Sequence, residues 1–122
     1  MSLLPMDRTV NERLQKAIAY KIEGRYEEAE RELRAVLEEE PDSASAHCEL
    51  GLVHGFTGLF DESLDELRKA VELSPETTEY RNHLGLTYCM LGMYDEGRGE
   101  FETVLKQDPE NVDALRQMEF FQ

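Results

Sequence analysis

The chain has 122 residues, the length of one compact domain, and carries 27 acids against 13 bases for a net charge of −14. That balance argues against a nucleic-acid partner, because phosphate binding needs a basic face. It has no apolar run of the roughly 18 residues that would suggest a membrane span, and the opening MSLLPMDRTV lacks the basic region and apolar core of a secretory signal.

Residues 1–9 read as a lead-in, with Leu3, Leu4 and Met6 apolar and free to dock, and with Met6 an alternative native start. Thr9, followed three residues on by Glu12, has the pattern of a capping box. It predicts a helix from about residue 10, and Gly24 marks the end of that helix. A second helix follows Tyr26, opens on the acids Glu27 and Glu28, and stops before Pro41. The same unit then returns. Ser43 caps a helix over about 44–57 that ends at Gly58, and Phe60, Asp61 and Glu62 open another that ends before Pro75. Thr77, Gly92, Tyr94, Asp95, Glu96 and Pro109 repeat it once more, and Asn111 caps a last helix, VDALRQMEFFQ. Val112, Leu115 and Met118 recur along it at helical spacing and are expected to cover the third pair. Phe120 and Phe121 end the chain, and at least one is expected to stay exposed.

Pro41, Pro75 and Pro109 fall 34 residues apart, as do Gly24, Gly58 and Gly92, and Tyr26, Phe60 and Tyr94. So do Ala17, Gly51 and Gly85, and then Ala29, Ser63 and Gly97. A fixed period of this length marks a solenoid of helix pairs, in which each pair buries its apolar face only by stacking on the next. The small residues mark where two antiparallel helices approach closely. Gly97 and Gly99 lie inside a helix, where each costs about 0.5–1 kcal/mol relative to alanine, so the third pair is expected to fray.

These residues resemble tetratricopeptide repeats over about residues 10–111. The family pattern is large-x-x-Leu-Gly-x-x-Tyr, then Ala-x-x-x-Phe, then Pro. The third unit shows Leu84, Gly85, Tyr88, Phe101 and Pro109; the second Leu50, Gly51, His54, Leu67 and Pro75; the first Ala17, Tyr20, Ala29, Leu33 and Pro41. The position usually held by tryptophan is Arg13, His47 and Arg81, an unusually polar corner, and Lys16 replaces a leucine where no helix precedes. The resemblance implies an all-α, right-handed solenoid of three antiparallel helix pairs plus one terminal helix. Its units are 10–43, 44–77 and 78–111, with 112–122 as the capping helix.

The resemblance also implies a concave groove lined by the first helix of each pair. Its lining positions carry over to Asn11, Leu14, Ile18, Lys21 and Ile22, then Ser45, Cys48, Leu52, Gly55 and Phe56, then Glu79, Asn82, Leu86, Cys89 and Met90. Two rows are wholly apolar, Ile18/Leu52/Leu86 and Ile22/Phe56/Met90, and Leu14/Cys48/Asn82 is partly so. Exposed positions ordinarily prefer polar residues, so this floor points to an apolar or amphipathic protein segment as occupant. The carboxylate clamp that some family members use for chaperone tails needs Lys, Asn, Asn, Lys and Arg at positions held here by Leu14, Ile18, Glu49, Glu79 and His83, so no such ligand is expected.

Most of the acids lie on the second helices, the outer side in the family, where they act as solubilising charge. Cys48 and Cys89 sit two helical turns apart on neighbouring helices, too far for a disulfide. Free thiols without a signal favour the cytoplasm. His47, His54, Cys48 and His83 do not make a convergent metal set, and the two helix histidines read as packing substitutes for Trp and Tyr. No phosphate loop, zinc-protease motif or nucleophile triad is present, so no catalytic residue and no cofactor is expected. The reading is a non-enzymatic adaptor or scaffold. The rival is a self-assembling repeat protein, joined through its groove and its apolar ends.

Overall fold

The computed structural model describes residues 5–121. Seven α-helices follow one another: α1 Pro5–Ile22, α2 Tyr26–Glu39, α3 Ala44–Phe56, α4 Phe60–Leu73, α5 Thr78–Met90, α6 Tyr94–Gln107 and α7 Val112–Met118, with a 3-10 turn over Glu119–Phe121. Among the described residues there is no strand. Each helix packs on the next, and the chain is an all-α solenoid.

The two kinds of helix differ for a reason of position. Outer helix α2 buries Ala29, Leu33 and Val36 on one face, and α4 buries Leu64, Leu67, Ala70 and Val71, with charge opposite. Inner helix α3 is flanked on both sides and buries Ala46, Cys48, Leu50, Gly51, Val53 and His54 around most of its girth. The core follows the stack in three successive clusters. Val10, Ala17, Leu33, Val36, Leu50 and Val53 hold its first part; Leu64, Leu67, Val71, Leu84 and Tyr88 its second; Phe101, Val104 and Ala114 its third.

Each inner helix ends the same way. Gly24, Gly58 and Gly92 take φ of 79°, 82° and 77°, a left-handed turn open to glycine. The amide after each reaches back to the last turn, as Leu59 N–H does to the His54 carbonyl at 2.8 Å. Within each pair the small residues make the close approach. A Cβ on Gly51 would lie 2.8 Å from Leu67 Cγ, and Ser63 Oγ donates to the Gly51 carbonyl at 2.7 Å. A Cβ on Gly85 would meet the Phe101 ring at 2.8 Å.

Gly97 makes the close approach that its register with Ala29 and Ser63 implies. A Cβ there would lie 2.6 Å from Cys89 Sγ and 2.9 Å from the Gly85 carbonyl, so this glycine is the seat of α6 on α5 rather than a mere helix weakener. Gly99 faces open space. Two expected caps are corrected. Helix α1 begins at Pro5, so Thr9 lies inside it and residues 5–9 are not a separate lead-in. Proline suits a first helical position, and no glycine or proline interrupts the chain before Gly24. Thr77 holds the cap position of α5, but its side chain does not cap. Its hydroxyl is 2.6 Å from Ser74 Oγ, which donates its own proton to Glu76. Ser43 and Asn111 do cap, accepting from Ala46 N–H at 3.2 Å and Ala114 N–H at 3.0 Å. The docking expected of Leu3 and Leu4 falls outside the described residues.

Candidate partner groove

Inner helices touch the next inner helix as well as their partners, α1 with α3 and α3 with α5, while α2 and α4 make no comparable contact. The inner helices therefore line the inside of the curve. The period of 34 residues aligns their side chains into rows that cross from helix to helix.

The row at the glycine ends of these helices is apolar and open. Ile22 is 77% exposed, Phe56 61% and Met90 66%. Phe56 stacks on Tyr26, ring centroids 5.4 Å apart, which holds it upright at the rim. The middle row, Ile18, Leu52 and Leu86, is half-buried to exposed. The deeper row differs from expectation. Cys48 is only 1% exposed and Asn82 7%, so both lie beneath the floor, and Leu14 packs against the core. Cys48 packs with Leu84 and Tyr88 of α5, and Asn82 bonds Asn111 at the start of α7 at 3.0 Å, so the next inner helix covers each.

The polar positions are not equivalent either. Asn11 and Glu79 are exposed. Lys21 Nζ lies 2.6 Å from Glu49 Oε1, an ion pair between α1 and α3 in which both side chains are sheltered. That pair neutralises the one basic residue expected at the rim. Burial pushes the Cys48 thiol up to about 12, with Glu49 and Glu79 adding to the shift. Burial also raises Cys89 and lowers His83, the latter against the pull of Glu79 and Glu49.

The residue that sequence reasoning missed is Phe120. It stands 34 residues after Leu86 and so continues the row Ile18/Leu52/Leu86, and it is 80% exposed. With Cys89, Tyr94, Gln117 and Phe121 it lines a recess of about 320 Å³ at the end of the groove. The signal was in the period, but Phe120 read as a chain end. Beside it, between α5 and α7, lies a second cleft of about 520 Å³, lined by Glu79, Asn82, His83, Leu86, Asp113 and Gln117 among others.

His47 and His54 do not converge. His47 bonds Glu66, whereas His54 is buried. Both cysteines are free thiols. Among the described residues no group of three or more His, Cys, Asp or Glu side chains could hold a metal.

Comparison with known families settles the relationship. A tetratricopeptide repeat model matches residues 14–76, and a second matches residues 83–111. The chain belongs to the tetratricopeptide repeat family. No curated protein sequence matches it. Solved structures share the fold. The first repeat domain of Spaghetti (RPAP3), solved with the HSP90 peptide SRMEEVD, superposes with a TM-score of 0.87 at 18% identity, over 93% of this chain and 90% of that one. MamA gives 0.85 at 22% identity, over 91% of this chain and 65% of that one. A Thermobaculum terrenum O-GlcNAc transferase gives 0.89 at 26% identity over 97% of this chain, which spans only 23% of that enzyme.

Within the tetratricopeptide pattern the terminal helix is the first helix of a further unit. Ala114, Met118 and Phe121 pack on Phe101 and Val104. They occupy the repeat positions through which Ala46, Leu50 and Val53 pack on Leu33 and Val36. The matching positions of α1 are Glu12, Lys16 and Ala19, all exposed, so the first pair presents a polar end. No helix among the described residues is long and apolar enough to cross a membrane.

Proposed function

We propose that this tetratricopeptide chain is a non-enzymatic adaptor whose concave groove receives an apolar or amphipathic segment of another protein. The observation that carries the reading is the open apolar row Ile22, Phe56 and Met90, repeated on the three inner helices α1, α3 and α5 beside Leu52, Leu86 and Phe120. Exposed apolar residues are ordinary singly, but a row fixed by the repeat marks an interaction surface. The fold is that of a family of protein-interaction modules, and one structural relative was solved with a peptide bound.

A chaperone-type carboxylate tail does not suit this groove. Of the five positions concerned, Glu49 already holds Lys21, and Glu79 lies 3.8 Å from His83, whose cationic form burial disfavours. A carboxylate there would meet acids. The acidic surface likewise disfavours nucleic acid. The free thiols Cys48 and Cys89 suit a cytoplasmic setting.

The test is fluorescence anisotropy with labelled amphipathic peptides, comparing wild type with Leu52→Glu and Met90→Glu. The reading requires saturable binding that both substitutions weaken by about tenfold or more. Binding unchanged in both variants would place the site elsewhere. The second reading, self-association, rests on Phe120 and Met90 as large exposed apolar groups. Light scattering decides it, since a second copy in the groove would double the 14.1 kDa mass of the chain.

A further inference from the structure

The cleft between α5 and α7 has a chemistry different from the rest of the groove. Glu79 and Asp113, one at the start of each helix, are both exposed at its rim. Their cationic neighbours are weak. His83 is 3.8 Å from Glu79, and burial disfavours its cationic form; Arg116 is 3.9 Å from Asp113 in an exposed pair.

At the wall of the cleft a buried acceptor is left over. Asn111 Oδ1 caps the Ala114 N–H at 3.0 Å, so it must also be the acceptor for the Asn82 Nδ2 that lies 3.0 Å away. Asn111 Nδ2 in turn donates to Asp108. This chain fixes the orientation of the Asn82 amide and leaves its Oδ1 without a partner, on a residue only 7% exposed. That oxygen has almost no accessible surface, so it lies beneath the wall of the cleft, and an incoming group meets Glu79 and Asp113 at the rim instead.

We infer that this cleft receives the guanidinium or ammonium group of a basic amphipathic helix whose apolar side chains lie along Leu52, Leu86 and Phe120. The inference rests on the groove reading and adds the charge of the guest. Glu79 and Asp113 supply the attraction, and Leu86 joins the cleft to the apolar row. At the opposite end of the groove Lys21 is held by Glu49 at 2.6 Å, whereas Glu79 and Asp113 face their cations only at 3.8 Å and 3.9 Å, so the more weakly paired acids lie at the α5–α7 end. That polarity sets the direction in which the helix lies.

The test uses three short helical probes with one leucine face and a polar face of Arg, Gln or Glu, titrated by anisotropy against the full chain. The Arg probe is expected to bind most tightly. Glu79→Gln with Asp113→Asn is expected to weaken it by about fivefold to tenfold. Glu38→Gln with Glu72→Gln, which removes the same charge from exposed sites on the outer helices, is expected to leave it unchanged. If both pairs of substitutions weaken it equally, the attraction is diffuse and the cleft is not the site. If the Gln probe binds as tightly as the Arg probe and loses affinity in Leu86→Asn, the groove reading stands and the cationic guest is wrong. If no probe binds, both readings fall.

Discussion

His47 bridges the second helix pair, its Nδ1 2.7 Å from Glu66 Oε1 on the neighbouring helix and its Nε2 2.8 Å from the Pro41 carbonyl before it. Arg81 makes the same two contacts one unit later, to Glu100 at 3.0 Å and the Pro75 carbonyl at 3.1 Å. Arg13 holds Glu32 at 3.2 Å in the first pair. The corner that most often carries a tryptophan in this family is here a repeated polar rung, and it ties each inner helix to its own outer helix. His47→Ala is therefore expected to cost about 1–2 kcal/mol, because it strands a half-buried carboxylate. His47→Arg, which restores the residue of the flanking units, is expected to stay within about 0.5 kcal/mol of wild type. Urea unfolding of the two variants checks this, and an equal loss in both would show that shape rather than pairing matters at the corner.

Gly97 and Gly99 should respond in opposite directions to the same substitution. Gly97→Ala drives a methyl group into Cys89 Sγ and the Gly85 carbonyl, and is expected to destabilise by about 1–3 kcal/mol. Gly99→Ala adds a methyl in open space and removes backbone freedom from the unfolded chain, so it is expected to stabilise by about 0.5–1 kcal/mol. Thermal melts of the two single variants decide the matter, and a stabilised Gly97→Ala would contradict the close seat of α6 on α5.

These two glycines show where the sequence was legible and where it was not. The period of 34 residues located the helix pairs, the glycine turns and the small residues between partner helices, because each is a local rule repeated three times. It also distinguished Gly97, which falls in register with Ala29 and Ser63, from Gly99, which does not. The cost of both glycines nevertheless read alike, since helix propensity is blind to what faces the residue. The deep row of the groove failed for a similar reason. Cys48 and Asn82 occupy exposed-type positions in the pattern, and contacts from the next inner helix along the stack bury them. The start of α1 was missed because Thr9 and Glu12 satisfy a capping pattern by type, while nothing nearby compels the helix to begin there.

The two thiols should separate kinetically. Cys48 is buried and its thiol is pushed up to about 12, whereas Cys89 is half-buried and shifted by burial alone. The thiolate is the reactive form, so both react slowly and Cys48 much the slower. An aromatic disulfide reagent at about pH 8 is expected to label one thiol in the folded chain and the other only on unfolding. Cys89→Ser should abolish the first phase and Cys48→Ser the second. Equal rates for both in the native chain would refute the burial of Cys48.

His83 gives the chain an acid-sensitive contribution. Burial lowers its folded pKa below the unfolded value of about 6.5. Glu79, Glu49 and Asp113 pull the other way, and Lys21 adds to the lowering. The unfolded chain thus binds the proton first as pH falls. The stabilisation is complete above the unfolded pKa and is lost as pH drops through the folded one. His83→Gln is expected to lose less stability than wild type between about pH 7.5 and about pH 5. Carboxylate titration is nearly common to both proteins, so the difference between their two melting curves isolates His83. A steeper loss in the variant would mean that the folded state holds the proton.

Phe120 and Phe121 have different duties despite their adjacency. Phe121 packs against the cluster of Phe101, Val104 and Ala114, with the Arg98 guanidinium 5.9 Å above its ring, so it belongs to the fold. Phe120 is 80% exposed and continues the groove, so it belongs to the surface. Phe121→Asp is expected to destabilise by about 1–3 kcal/mol through lost packing. Phe120→Asp is expected to leave the unfolding midpoint nearly unchanged, since the ring has little native packing to lose. Its effect should appear in association instead. Light scattering is expected to return a monomer for wild type over a range of concentrations. Should wild type dimerise and Phe120→Asp restore the monomer, the apolar row would be filled by a second copy, and the free-groove reading would give way to self-association.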